Sequence, residues 1–301
     1  MITNDIKNVI ESFWGNSEYI ADEFFPGTSN NELIKICIGD SKYILKFYHN
    51  NDFFKTELDF MYLFMKNKCK VPSLVKYSSI DSSQPPWILY EYVEGISLNQ
   101  VKSQLSSKTL KQVWKQVGKE LKKIHSIPVW TDTEVEKNKS DFICRLKNDI
   151  VSYAYYIDKR EKSLLLVDAI SFLKNNFSCI NKPIYGTILQ EFDNRHIIIR
   201  QKKDKWILGA LVDFERTSFG CLYIDIAGLY LNAFLDDQDL ENSFWEGYDP
   251  ERVNFEGHCI YFILLCMGLK LCTILREIDF SNYQWGLSII DKSLDRIQKL
   301  N

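Results

Sequence analysis

Residues 211–220 read Leu-Val-Asp-Phe-Glu-Arg-Thr-Ser-Phe-Gly, and this short stretch decides the fold class. Residues 206–212, which lead into this stretch, are rich in apolar side chains, and this is typical of a buried strand. Asp213 follows directly, so its carboxylate comes at the end of that strand, where it can leave the core. Carboxylate oxygens are ligands that Mg²⁺ prefers. The stretch therefore predicts a strand that ends in a carboxylate, which taken alone could be a metal ligand, a turn residue or a helix cap.

Further charged residues occur on either side of this stretch. Lys46 lies in residues 42–48, an apolar and aromatic run whose composition predicts a strand. Glu57 follows 11 residues later in residues 52–67, where apolar residues recur at the spacing of a helix. Asp225 begins a predicted helix downstream, and we expect it to cap that helix or to anchor a loop.

The pattern of predicted elements changes along the chain. A predicted helix at residues 3–14 precedes a meander of three predicted strands. Helical patterns dominate the later part, where a predicted hairpin at residues 197–212 interrupts them. We therefore predict an α+β fold with a small antiparallel β-rich lobe over residues 1–95 and a large, mainly helical lobe over residues 96–301. Ligand sites are expected in the cleft between such lobes.

Together these segments resemble the aminoglycoside phosphotransferase and choline-kinase-like family, which has a two-lobe protein-kinase-like fold. Residues 211–220, and the Tyr-Ile-Asp-Ile-Ala at residues 223–227, are similar to the family's Ile-Asp-Phe-Glu and Tyr-Asp-Leu-Ala motifs. The Val-Pro at residues 71–72 and the helix that ends in His125 also match the family pattern. The resemblance covers nearly the whole chain, from about residue 18 to residue 290.

The resemblance implies a nucleotide site for ATP or GTP. In the family, a strand lysine contacts the nucleotide phosphates and pairs with a helix glutamate, and the last strand of the small lobe ends where the base binds. A turn near the start of that lobe can also bring backbone amides to the phosphates. Lys46 matches the strand lysine and Glu57 the helix glutamate. Glu91 and Val93 match the strand end where the base binds, and Thr28 and Ser29 lie in the turn near the phosphates. Asp213 would hold the metal, which is Mg²⁺ or alternatively Mn²⁺.

The predicted catalytic loop departs from the family pattern His-Gly-Asp-x-x-x-x-Asn. Alignment on the strand that follows the loop places Glu191 at the Asp position, where the family has its base or orienting group. The same alignment places His196 at the metal-binding Asn position and replaces the His-Gly pair by Leu189 and Gln190. Asp193 is the alternative catalytic carboxylate. We prefer Glu191, because the alternative alignment leaves an apolar residue at the metal position.

The altered loop leaves two hypotheses open. Glutamate is one methylene longer than aspartate, and a displacement of about 1 Å can cost about a hundredfold in rate. A histidine nitrogen suits Mn²⁺ or Zn²⁺ better than Mg²⁺. The first hypothesis is an active phosphotransferase that acts on a hydroxyl group of a small molecule. The second is a catalytically degenerate kinase-like protein that serves as a nucleotide- or small-molecule-binding module.

An acidic stretch in the helical lobe points to a cationic acceptor. Residues 234–241 contain four carboxylates, and Glu246 and Asp249 follow closely. A concentrated negative surface suits a polyamine such as an aminoglycoside antibiotic, and Trp245 and Tyr248 would line that surface. The alternative is that the carboxylates are solvated near a helix N-terminus and that the two aromatic residues belong to the core.

Composition excludes several other classes. The 301 residues are 46% hydrophobic and carry a formal net charge of -3, so the chain lacks the basic field of proteins that coat nucleic acids. The longest apolar run, residues 259–269, is too short for a membrane span and predicts a buried helix. The first residues lack the apolar segment of a secretory signal, and the eight cysteines form no CxxC pair. We therefore expect a cytoplasmic protein that binds a small molecule and neither nucleic acid nor membrane.

Overall fold

The structure is a computed structural model that describes residues 2–15, 18–23, 31–79, 85–128, 131–160, 163–178, 184–251 and 257–300. A five-stranded antiparallel sheet forms its N-terminal part, and mainly helical structure follows. The predicted α+β architecture is therefore confirmed. The predicted lobe boundary between residues 95 and 96 stays a prediction.

The five strands are β1 (Ile20–Glu23), β2 (Asn31–Ile38), β3 (Ser41–Tyr48), β4 (Leu74–Tyr77) and β5 (Trp87–Glu91). They lie in the order β1-β2-β3-β5-β4, and each neighbouring pair is antiparallel. Strand β3 is therefore the central strand of the sheet, where its residues are flanked on both sides. Lys46 lies on β3 opposite Leu33 of β2 and Ile88 of β5.

Alternation along β3 gives the sheet two different faces. Leu45 and Phe47 point to one face, where they pack with helix α1 (Ile2–Trp14) in a small core. Lys46 lies between them in sequence, so it points to the opposite face. Helix α2 (Asn51–Lys66) follows β3 and begins at Asn50, whose side chain accepts hydrogen bonds from the first turn.

The rest of the chain is mostly helical. Its helices are α3 (Leu98–Val101), α4 (Ser107–His125), α5 (Asp132–Arg160), α6 (Leu164–Asn175), α7 (Tyr223–Leu229), α8 (Gln238–Tyr248), α9 (Gly257–Thr273) and α10 (Phe280–Gln298). Its strands are β6 (Ile96–Ser97), β7 (Tyr185–Ile188), β8 (Ile197–Lys202), β9 (Lys205–Leu211) and β10 (Ser218–Cys221). Strands β8 and β9 form the predicted hairpin. The sequence does not predict the pairing of β7 with β10, because each strand has only four residues.

Helix α9 contains the longest apolar run of the sequence. Residues 257–277 are long and apolar enough to cross a membrane by length and composition, but 72% of the most apolar window is buried inside the protein. The helix packs against α10, α7, α6 and α5. The run is therefore a core helix of the helical part, as the sequence predicts.

Helices α4 and α8 approach each other closely at two glycines. A methyl group at Gly118 would overlap the carbonyl oxygen of Phe244, and one at Gly247 would overlap the carbonyl oxygen of Lys115. The two helix backbones are therefore in direct contact. This contact fixes α4, whose last residue, His125, lies within hydrogen-bond distance of Asp225.

The variant Gly118→Ala is expected to lower the free energy of unfolding by about 2 kcal/mol, because the added methyl group forces the two helices apart. Helix propensity alone would instead stabilise the helix by about 1 kcal/mol. Urea denaturation measures the difference. Gln112→Ala, at an exposed position of the same helix, should change the stability by less than about 0.5 kcal/mol. A Gly118→Ala protein more stable than wild type would contradict the close contact.

Candidate active site

The ammonium group of Lys46 lies among three carboxylates from distant parts of the chain. Its Nζ is 2.7 Å from Oε2 of Glu57, 2.9 Å from Oδ1 of Asp213 and 2.8 Å from Oε2 of Glu215. Strand β3 supplies the lysine, helix α2 supplies Glu57, and the segment after β9 supplies the other two. The structure thus brings together three residues that the sequence nominates, and it adds Glu215.

Contacts at both oxygens hold Glu57 in place. Its Oε2 accepts a hydrogen bond from the hydroxyl of Tyr48 at 2.7 Å, and that hydroxyl lies 2.9 Å from the hydroxyl of Tyr90. Its Oε1 accepts a hydrogen bond from the backbone N–H of Phe214 at 3.4 Å. The side chain is only 3% exposed, so these contacts replace water. Glu57 therefore joins the N-terminal sheet region to the segment after β9.

The charges of the cluster shift its pKa values in different directions. Burial lowers the pKa of Lys46, but the carboxylates of Glu57 and Asp213 outweigh it and raise that pKa well above its usual value. Burial also opposes ionisation of Asp213, yet Lys46 and His196 hold its pKa below the usual value. Burial raises the pKa of Glu215, and Lys46 only partly offsets this because Asp213 repels its charge. Lys46 and Asp213 are therefore held in their charged forms.

Asp213 leaves the end of β9 in a left-handed backbone conformation. Its φ is +70°, a region that aspartate tolerates better than most residues. The backbone N–H of Val212, the residue before Asp213, donates to the carbonyl oxygen of His196 at 3.0 Å. This hydrogen bond joins the end of β9 to the loop at residues 189–196. Oδ2 of Asp213 lies 3.4 Å from Nε2 of His196. The two residues predicted to bind metal therefore lie side by side.

The oxygen atoms around Lys46 fit the divalent cation that the fold implies. Carboxylate oxygens of Glu57, Asp213 and Glu215 lie within 4.8 Å of one another, and Mg²⁺ binds such oxygens. Asp213 is the most accessible of the three, with 38% of its side chain exposed. Sequence reasoning missed Glu215. The signal that could have found it was a second carboxylate two residues after Asp213, beyond the same strand end.

The two candidate catalytic carboxylates have different surroundings. Glu191 is 65% exposed, and its Oε2 lies 3.2 Å from Nε of Arg216. Asp193 is 14% exposed and is bound on both oxygens by Arg195. It caps the short 3-10 turn Asn194–His196 through the backbone N–H of Arg195 at 2.7 Å. Although burial opposes ionisation, Arg195 holds the pKa of Asp193 below its usual value.

The buried carboxylate of Asp225 holds the loop at residues 189–196 in place. Asp225, which is 0% exposed, accepts hydrogen bonds from the backbone N–H groups of Leu189 at 2.7 Å and Gln190 at 2.8 Å. Its Oδ2 also lies 3.1 Å from Nε2 of His125, whose Nδ1 is 2.6 Å from the hydroxyl of Tyr248. The expectation that Asp225 anchors a loop is confirmed. His125, Asp225 and Tyr248 thus connect α4, α7 and α8 to the loop that carries Glu191.

The residues predicted to bind the nucleotide base lie where the chain leaves β5. The N–H of Glu91 donates to the carbonyl oxygen of Ser73, and the N–H of Tyr92 donates to that of Lys42. Val93 follows at the connection to the helical part, close to Gly209 of β9. The predicted phosphate-binding turn with Thr28 and Ser29 lies outside the described residues.

The carboxylates of the acidic stretch pair with basic residues, and its aromatic residues are buried. Its ion pairs are Asp236–Lys292 at 2.7 Å, Asp239–Lys111 at 2.5 Å, Glu241–Arg296 at 3.6 Å and Glu246–Lys115 at 3.0 Å. Asp237 caps helix α8. Trp245 and Tyr248 are 2% and 3% exposed, so they belong to the core. The prediction that Trp245 and Tyr248 line an acceptor surface is therefore wrong, because both belong to the core, whereas the prediction that the carboxylates attract a cationic acceptor stays a prediction.

Comparison with known proteins supports the resemblance seen in the sequence. The model of the phosphotransferase enzyme family matches residues 23–143. The structure is similar to that of aminoglycoside 2'-phosphotransferase-IIIa in its GDP complex, with a TM-score of 0.67 and 13% identity over 98% of this chain and 100% of that chain. It is also similar to spectinomycin phosphotransferase APH(9)-Ia in complex with ADP and spectinomycin, with a TM-score of 0.64 and 10% identity over 97% of each chain.

A third similar structure is aminoglycoside phosphotransferase APH(4)-Ia, with a TM-score of 0.63 and 14% identity over 98% of this chain and 99% of that chain. No curated protein matches the sequence. At such low identities the structural likeness establishes the fold. The predicted resemblance to the aminoglycoside phosphotransferase family, with its protein-kinase-like fold, is therefore confirmed.

The variant Asp225→Ala is expected to lower the free energy of unfolding by about 3 kcal/mol, because buried donors in the loop and on His125 lose their acceptor. Chemical denaturation measures the loss. Asp236→Ala serves as the control, because Asp236 is 74% exposed in its pair with Lys292. The control should change stability by less than about 1 kcal/mol. Equal, small losses in both variants would show that Asp225 does not anchor the loop.

Proposed function

We propose that the protein is a phosphotransferase that moves the γ-phosphate of ATP or GTP to a hydroxyl group of a small molecule. The observation that carries this proposal is that carboxylate oxygens of Glu57 and Asp213 both lie within 2.9 Å of the ammonium group of Lys46. Phosphoryl transfer asks a protein mainly for positioning and for neutralisation of charge, and this cluster offers both. The family match and the ADP and GDP complexes of similar proteins support the same reading.

On the nucleotide side, each charged residue has a separate role. Lys46 would neutralise phosphate oxygens, because it is a charged group fixed at the centre of the cluster. Glu57 would hold that ammonium group in place through its own fixed position. Asp213, with Glu215 beside it, would hold Mg²⁺ or Mn²⁺. The metal would supply positive charge to the transferring phosphoryl group. The backbone from Glu91 to Val93 would bind the base.

On the acceptor side, Glu191 is the better candidate for the catalytic carboxylate. Arg195 engages both oxygens of Asp193, whereas Glu191 is largely exposed and, among the described residues, pairs with Arg216. An incoming hydroxyl group can therefore reach Glu191 at a lower cost in free energy than Asp193, whose pair with Arg195 would first have to break. Glu191 would orient this hydroxyl group and receive its proton. His196 would help to hold Asp213 through their 3.4 Å contact.

The acceptor is proposed to be a hydroxylated small molecule of the aminoglycoside kind. Similar structures are described in complex with spectinomycin and with hygromycin B. The support comes from these relatives, since the acidic stretch near α8 is engaged in its own ion pairs. The catalytically degenerate alternative rests on Leu189, Gln190 and His196, which replace family residues.

The first test of the proposal is nucleotide binding with and without divalent metal, measured by thermal unfolding. A nucleotide at a hundred times its dissociation constant should add about 2.7 kcal/mol of stability. We expect this gain with ATP or GTP plus Mg²⁺ or Mn²⁺, and we expect Asp213→Ala to abolish its metal-dependent part. Asp204→Ala, in the exposed hairpin turn, is the control: its φ of +59° lowers the starting stability of the alanine variant, but the gain on addition of nucleotide and metal should equal that of wild type. Absence of a shift with either nucleotide would overturn the proposal.

The second test compares Glu191→Gln with Asp193→Asn in an assay of nucleoside diphosphate release. Spectinomycin and hygromycin B would be included among the acceptors. Loss of a positioned acid–base group typically costs about 10²- to 10⁴-fold in rate, so Glu191→Gln should lower kcat by that amount with little change in KM for the nucleotide. Asp193→Asn should lose much less. The reverse order would identify Asp193 as the catalytic carboxylate, and nucleotide binding without any transfer would favour the degenerate alternative.

A further inference from the structure

Two tyrosine hydroxyl groups lie beside the Lys46 cluster, and the roles proposed for the charged residues leave them unused. Tyr48 follows Lys46 by two residues on β3, so the two side chains point to the same face of the sheet. Tyr90 follows Ile88 by two residues on β5, and Ile88 lies opposite Lys46, so Tyr90 shares that face. Tyr48 is 0% exposed and Tyr90 is 6% exposed, so both hydroxyl groups need partners inside the protein.

The donors and acceptors in this group fix the positions of its protons. The carboxylate of Glu57 only accepts hydrogen bonds, so the hydroxyl of Tyr48, 2.7 Å away, donates its single proton to Oε2. The hydroxyl of Tyr90 lies 2.9 Å from that of Tyr48 and therefore supplies the proton between them. Burial and the charge of Glu57 raise the pKa of both hydroxyl groups well above the usual value, so both keep their protons. The hydrogen bonds thus run from β5 through β3 to helix α2.

The ammonium group of Lys46 has no donor to spare for a ligand. It offers three N–H donors, and carboxylate oxygens of Glu57, Asp213 and Glu215 lie within 2.9 Å of it. A phosphate oxygen can therefore bind Lys46 only when one of these carboxylates withdraws. Which of the three withdraws determines the direction in which the freed donor points.

Glu57 is the carboxylate that is held most firmly beside the ammonium group. Its side chain is 3% exposed, compared with 38% for Asp213 and 12% for Glu215. The hydroxyl of Tyr48 donates to the same Oε2 atom that accepts from Lys46, so this atom cannot leave the ammonium group without breaking both hydrogen bonds. A buried hydroxyl group that loses its acceptor carries a large penalty in free energy.

We propose that Tyr48 and Tyr90 are positioning residues for the binding of nucleotide phosphates, a role that rests on the proposed phosphotransferase function. Both act through Glu57, which they keep as the permanent partner of Lys46. The carboxylate that withdraws is then Asp213 or Glu215, and the freed N–H donor points to the side where Asp213 meets solvent. This is the side from which a phosphate group can arrive.

The test compares ligands with and without phosphates, measured by titration calorimetry in the presence of Mg²⁺. Tyr48→Phe removes the hydroxyl group and keeps the ring. It should weaken the binding of ADP or GDP about tenfold, which corresponds to one hydrogen bond to a charged group, and leave the binding of adenosine or guanosine unchanged. Tyr90→Phe removes only the second hydrogen bond and should weaken diphosphate binding about threefold. A merely structural role would weaken both kinds of ligand equally.

A double-variant cycle tests the contact in the free protein. Tyr48→Phe and Glu57→Gln are measured alone and together by urea denaturation, and independent effects on the unfolding equilibrium constant would multiply. We expect a departure of about threefold or more from that product, because the two groups share a hydrogen bond. Tyr153→Phe, at a buried position of α5, is the matched control and should affect neither diphosphate affinity nor the cycle with Glu57→Gln.

Thermal unfolding of each variant checks its fold, and if Tyr48→Phe does not fold, Tyr90→Phe decides the question. The positioning role is overturned if wild type binds ADP or GDP and the folded variants bind them equally well. It is also overturned if the variants lose affinity for diphosphates and nucleosides by the same factor, or if the cycle shows no coupling. Absence of ADP and GDP binding by wild type would instead overturn the proposed function and the positioning role with it.

Discussion

A buried ammonium group is the constraint on which the rest of the structure depends. Lys46 is only 4% exposed, and an ammonium group out of water is tolerated only where opposite charges surround it. Glu57 supplies one of these charges from helix α2, and Asp213 and Glu215 supply the others from the segment after β9. The position of α2 against the sheet, and the path of the chain after β9, are therefore linked through a single side chain.

The loop at residues 189–196 shows how the same architecture can accept side chains that differ from the family pattern. Asp225 holds the loop through the backbone N–H groups of Leu189 and Gln190, and every residue except proline offers such a group. Replacement of the family's His-Gly pair therefore leaves the anchor intact. The φ of +64° at Gln190 explains why the family has glycine there, because glycine adopts this conformation without strain. The Gln190 side chain offsets part of that strain by donating to Ser218 at 2.7 Å.

The sequence predicts those parts of the site that lie within regular elements. The periods of a strand and a helix predict the elements that carry Lys46 and Glu57, and the end of an apolar strand predicts the position of Asp213, while the resemblance to the family assigns all three to one site. Glu215 escapes such reasoning because its direction depends on the left-handed turn at Asp213, which no period reveals. The ion pairs of the acidic stretch near α8 escape sequence reasoning for another reason. Lys292 lies 56 residues from Asp236, and Lys111 lies 128 residues from Asp239, so these neutralising contacts become visible only in the fold.

Local charge, and not net charge, determines what each surface can bind. Three carboxylates around one ammonium group leave a negative surplus where Asp213 meets solvent, and this surplus favours a divalent cation and opposes phosphate groups that arrive without one. The β8–β9 hairpin carries the opposite sign, with exposed Arg200, Lys202, Lys203 and Lys205. Salt screens exposed charges over about 8–10 Å, so a ligand responds mainly to the charges next to it. A net charge of -3 averages over such local differences and therefore describes neither surface.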